Sequence, residues 1–210
     1  MNELIIPLLK MVDQVRSNPM LIIDAYLHEP GISEEELDQI EQSYSVKLPG
    51  AFRSFYKEVG KLTLVWRLDQ DQRPEFLREP EEAVGGVINL LDPDTMLVDK
   101  SGNFWRNVYW FPDRELPQNE LRKKYRPFDH HGVEMAIGLV LEDKEFVPGL
   151  YLYDQYNGIS LFENTLEDHL RNLVRFKGFE YWPKAMLNKR SDHFEKMNYY
   201  LPFLFPGDNM

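Results

Sequence analysis

Residues 32–60 read ISEEELDQIEQSYSVKLPGAFRSFYKEVG, and their spacing predicts two helices joined by a Leu-Pro turn. Ser33 and Glu36 have the Ser-x-x-Glu spacing of a capping box, in which hydroxyl and carboxylate each satisfy an otherwise free backbone N–H. Glu34 and Glu35 add negative charge at the positive end of the helix dipole. Leu37, Ile40 and Tyr44 recur every three or four residues, so one apolar stripe faces inward. Glu34, Glu35 and Glu41 are expected on the exposed side. Ser43 and Ser45 weaken the end of this helix. Pro49 suits the first turn of the next, where its missing N–H goes unused. Phe52, Phe55, Tyr56 and Val59 then follow at i, i+3, i+4 and i+7, and Gly60 is placed to cap that helix. From Leu62 to Leu68 apolar residues alternate with Thr63 and Arg67, the period of a strand.

Working toward the N-terminus, residues 2–16 predict an amphipathic helix with Leu4, Leu8, Met11, Val12 and Val15 on one side. Asn18-Pro19 breaks it, Met20–Leu27 is expected as a short helix, and Pro30-Gly31 as a turn. Working toward the C-terminus, Asp69–Glu82 reads as an exposed loop. VGGVINLL (84–91) reads as a strand and Asp92-Pro93-Asp94 as a turn. Residues 95–111, with Trp105, Tyr109, Trp110 and Phe111, read as a strand or hairpin. Pro112–Pro127 is loop-like, with room for a short helix over 116–125. Val133–Glu142, Leu150–Tyr153 and Ile159–Phe162 read as strands, the last two flanking the turn Tyr156-Asn157-Gly158. Asn164 and Glu167 form a second capping pattern before a helix striped by Leu166, Leu170, Leu173 and Val174 and ended by Gly178. One more helix is expected after Ser191, with an apolar stretch at Tyr199–Pro206 that packs back on the domain.

The bulk properties bound the function. The 210 residues carry 35 acidic and 24 basic side chains, a net charge of −11. That disfavours direct nucleic-acid binding, which needs Lys and Arg to neutralise phosphates. It suits fast association with a basic partner, and it also supplies solubility. There is no cysteine, hence no disulfide framework. No segment approaches the roughly 20 apolar residues of a membrane span, and Leu4–Leu9 lacks the flanks of a secretory leader. A cytoplasmic location is expected.

Two parts of the chain resemble the SUKH superfamily, which includes yeast cell-wall-synthesis regulators and bacterial immunity proteins. They are ISEEELDQIE with LPGAFRSFYKEVG, and then MAIGLVLED, GLYLYDQYNGIS and NTLEDHLRNLVRFKGF. Val59 stands where the family usually has Asn. The resemblance implies an α+β fold: an antiparallel or mixed sheet flanked by an N-terminal helix pair and a C-terminal helix. The domain would span 32–183, with an N-terminal helical extension (1–31) and a C-terminal tail (184–210) packed on it. It further implies a non-enzymatic binding protein that masks a cognate toxin, a nuclease being one case. A regulatory scaffold is the alternative. Acidic residues in predicted loops are the candidates for meeting a basic partner: Asp92, Asp94, Asp99, Glu142, Asp143 and Glu145.

Chemistry-bearing patterns are sparse. Asp129-His130-His131 with Asp92-x-Asp94 is similar to metal-binding segments of the DHH phosphoesterases, which makes a metal-dependent hydrolase the remote alternative. The further acidic motifs of that family are missing, and neither histidine has a partner at helical i+4 spacing. There is no G-x-S-x-G around Ser101 or Ser160. Gly85-Gly86 lacks the rest of a dinucleotide fingerprint. Trp105, Trp110 and Trp182 have no interleaved basic stripe. Glu142, Asp143 and Glu145 have the look of a solvated hairpin turn rather than an acid–base pair. No catalytic residue, metal ligand or cofactor is assigned.

Overall fold

The computed structural model of the chain describes residues 2–72, 84–98, 124–131 and 135–208. Residues 73–82 of the expected loop, 99–111 of the strand or hairpin expected over 95–111, and 116–123 of the expected short helix, with Asp99, Ser101, Trp105 and Trp110, lie outside the described residues; 95–98 are helical rather than strand. The elements in chain order are α1 (Asn2–Arg16), β1 (Leu21–Pro30), α2 (Glu34–Tyr44), α3 (Gly50–Tyr56), β2 (Val59–Leu68), β3 (Gly85–Leu90) and α4 (Pro93–Val98). They continue as β4 (Tyr125–His130), β5 (Met135–Glu142), β6 (Glu145–Phe146), β7 (Leu150–Asp154), β8 (Gly158–Glu163), α5 (Leu166–Phe176), α6 (Trp182–Leu187) and α7 (Asp192–Leu204). The strands form one sheet in the order β1-β2-β3-β4-β5-β7-β8, with β6 folded back on β5. The pairs from β3 to β8 are antiparallel. The expected α+β class is therefore the observed one.

Several elements follow their sequence signals. Ser33 and Glu36 make both bonds of the capping box, and Ser45 ends α2 in the left-handed region. Ser191 caps α7 by accepting from the Phe194 N–H. Others differ from expectation. Met20–Leu27 belongs mostly to a strand, not a helix: LIIDAYL is rich in β-branched and aromatic residues, and Asp24 pairs with Arg67 of β2 at 3.1 Å. Gly60 does not cap α3, which ends at Tyr56. It lies in β2, where a Cβ would sit 2.3 Å from the Pro30 carbonyl oxygen, so β1 and β2 approach there only because the residue is glycine. Asp92-Pro93-Asp94 is the start of α4 rather than a turn. Tyr125–Pro127 is strand, and the ladder tolerates Pro127 through a register shift before Asp129. The cap of α5 is Thr165, whose hydroxyl accepts from the Asp168 N–H at 3.1 Å, not Asn164. Helix α6 has no counterpart in the sequence reading.

The chain divides into two compact units. One holds His28–Leu62 and Asn89–His169. Its core centres on Phe128 of β4, whose ring meets Phe52 and Phe55 of α3 edge-to-face at 5.0 and 5.4 Å. Each such aromatic pair adds about 0.5–1.5 kcal/mol beyond area burial. Leu37 of α2 and Ile137 and Leu139 of β5 are buried with them. The other unit holds Glu3–Leu27, Thr63–Ile88 and Leu170–Met210. Its centre is Trp66 of β2, 1% exposed, whose indole N–H donates to the Lys177 carbonyl at 2.8 Å. Phe179 and Phe205 flank it, each with its ring 6.2 Å away. Gly86 of β3 presses on this ring; a Cβ there would sit 2.4 Å from the indole. Among the described residues no helix is long and apolar enough to cross a membrane.

Candidate partner-binding cleft

The site is framed by the first of the two units. Its first wall comes from α2 and α3. Glu41, expected on the exposed side, is 1% exposed. It lies four residues after Leu37 and so falls on the buried stripe. Its carboxylate accepts from the Leu48 N–H at 2.9 Å, from Lys47 at 2.8 Å and from Arg53 at 2.7 Å. Burial raises its pKa, but these donors outweigh burial and hold it below the ordinary glutamate value. Arg53 also reaches Glu34 and Asp38. Its pKa is raised, first through the Glu34 bond and then through Glu41, against the opposing effect of burial. Glu34 is lowered to about 2 by hydrogen bonds from Lys57 and Arg53. Residues 45–48 are thus tied back to α2, and this fixes where Pro49 starts α3.

The second support is a buried chain of ionisable groups. Asp129 of β4 accepts from the Asn89 N–H at 3.2 Å and from His131 and His169 at 3.0 Å each. His169 of α5 donates its other ring N–H to Glu163 of β8 at 2.7 Å. Burial pulls the His169 pKa down, but the two carboxylates more than reverse it, to about 9. Asp129 is driven far below the ordinary aspartate value. Burial opposes that shift, and His131 and then His169 overcome it. A cationic imidazolium between two carboxylates therefore locks the first turn of α5 onto β4 and β8. This accounts for Asp129 and His131 as structural anchors. Among the described residues no group of three or more His, Asp or Glu has the arrangement of a metal site.

Between these supports lies a cleft of about 370 Å³. Pro49, Ala51 and Phe52 of the α3 start form one side, and Leu139, Phe146, Val147, Pro148 and Leu150 the second. Asn164, Thr165, Leu166 and Glu167 at the α5 start close it. Phe52, Leu139, Leu150 and Leu166 are buried and form an apolar floor. The β5–β6 hairpin stands at the edge, since Phe146 of the lining directly follows its tip. Glu142 pairs with Glu145 across the hairpin. Asp143 and Lys144 both have positive φ, 49° and 69°, as a type I′ two-residue turn requires. All four tip residues are exposed, three carboxylates against one ammonium.

The six acidic candidates thus separate. Glu142, Asp143 and Glu145 come together on the hairpin tip. Asp92 caps α4, accepting from the Thr95 N–H and hydroxyl at 2.8 Å each, and Lys61 stands 3.6 Å away. Asp94 accepts from the Tyr44 hydroxyl at 3.2 Å. Asp99 lies outside the described residues. The Asp-Pro-x-Thr spelling, with an acid before a proline at the first helical position, was a legible cap signal. The cleft itself draws on four separated segments, and no local period announces it.

No curated protein matches the chain. A family model described as SMI1 / KNR4 family (SUKH-1) matches residues 31–172, more than half of the chain and the whole of the cleft, and the protein belongs to that family.

Proposed function

We propose that the protein is an immunity protein that neutralises a cognate toxin by stoichiometric masking in the cytoplasm of the producing cell. Membership in the SMI1/KNR4 family carries this reading, because it supports a protein-interaction domain of the immunity or regulator type, generally non-catalytic. The net charge of −11 adds that the toxin is basic, as a nuclease surface is. Acidic side chains steer such a partner inward and raise the association rate more than the final affinity. Glu142, Asp143 and Glu145 make the direct contacts. Asp92, Asp94 and Asp99 contribute to the field. Such a complex weakens with salt, since exposed charges are screened over about 8 Å at physiological ionic strength.

The test is protection. Any large open reading frame that sequencing finds beside this gene is expressed with and without the chain. Survival only when both are present supports the reading. Equal killing in both cultures, or no toxicity from any neighbouring product, refutes it.

A further inference from the structure

We infer that the cleft between α3, the β5–β6 hairpin and α5 receives one apolar side chain carried on an extended, basic segment of the protein partner. This rests on the interaction reading above and names how the partner is gripped. The floor is apolar and buried, with Phe52, Leu139 and Leu166 at its base. Its volume of about 370 Å³ is at the small end of the ~300–1,000 Å³ range of ligand clefts. A small polar metabolite is a poor fit, because such sites need several convergent polar groups to fix orientation. Here Thr165 is already engaged in capping α5. The charge lies outside the floor and is acidic in balance: Glu142, Asp143 and Glu145 against Lys144 on the hairpin, with Glu167 in the lining. An apolar anchor flanked by Lys or Arg meets both features at once. It is also the arrangement that concentrates binding energy, an anchor in a desolvated pocket with a polar rim.

The probe is an end-capped peptide, Gly-Lys-Lys-Leu-Lys-Lys-Gly, titrated into the ¹⁵N-labelled full chain. Amide shifts are expected at Ala51, Val147 and Leu166, and are lost when the peptide's Leu is replaced by Ser. Ala51→Trp fills the cleft and weakens binding at least about tenfold, a change of 1.4 kcal/mol. The surface variant Glu142→Lys/Glu145→Lys, which leaves the core untouched, weakens it several-fold and keeps the claim testable if Ala51→Trp does not fold. Shifts confined to the hairpin and indifferent to the Leu→Ser change overturn the inference, as does the absence of binding. If the peptide fails while the chain still protects against a toxin, the cleft is wrong and the function stands. If the peptide binds in the cleft and no toxin is neutralised, the reverse holds.

Discussion

His169 makes a pH-dependent contribution to stability that can be isolated. Its folded pKa is about 9 against an ordinary 6.5. Both forms of the chain hold the proton below pH 6.5, so the stabilisation is then fully present. Between 6.5 and 9 the unfolded chain loses the proton and the folded chain keeps it, so stability falls as pH rises. Above about 9 the contribution is gone. At 1.36 kcal/mol per pKa unit, the loss is about 3 kcal/mol. His169→Gln removes the titration. It also leaves Glu163 and Asp129 without their shared cation, costing about 3–5 kcal/mol at pH 6.5. Urea unfolding of both proteins from pH 6 to 9.5, followed by tryptophan fluorescence, gives the difference curve. The gap between wild type and variant is expected to close by about 3 kcal/mol, a midpoint change of roughly 1–1.5 M urea. A gap that stays constant across this range, or an imidazole NMR titration at or below 6.5, refutes the buried imidazolium.

Other expectations follow from the same contacts. At the acid end, Asp129 contributes stability that is present above the ordinary aspartate value and lost as pH falls below it; Asp129→Asn should flatten that limb of the stability curve. Glu41→Ala orphans the Leu48 N–H and one side of Arg53, costing about 2–4 kcal/mol, whereas Glu41→Gln keeps an acceptor and costs less; equal urea midpoints for both would deny the buried network. Gly86→Ala drives a methyl into Trp66 and should cost about 1–3 kcal/mol with a shift in tryptophan emission; unchanged emission and stability would mean that the contact is loose.

Local periodicity made much of the fold legible. The capping box at Ser33, the stripe of α1 and the turn at Tyr156-Asn157-Gly158 each needed only neighbours in sequence. The misses came where a residue's role depends on a distant partner. Met20–Leu27 is a strand because β2 runs beside it, and its apolar opening run carries no clear period of either kind. Charge alone points Glu41 to solvent, but its place four residues after Leu37 puts it on the inward stripe, where it is 1% exposed. Arg53 and Lys47, twelve and six residues later, make that burial possible. Gly60 looked like a cap and proved to be a point of close strand approach. Of the candidate site, the hairpin acids were visible as a charged turn. The cleft floor was not, since Phe52, Leu139 and Leu166 meet only through the sheet and the Asp129–His169–Glu163 lock.

The proposed function is that this acidic SUKH-1 chain disarms a basic toxin by binding it. The most direct measurement starts from a protein captured on the full chain from its native cell and assayed for its own toxic activity, on nucleic acid where it is a nuclease. The chain is then titrated into that assay. The account predicts that activity falls linearly to zero at one equivalent, and that high salt weakens the effect. Full activity at saturating chain would contradict it.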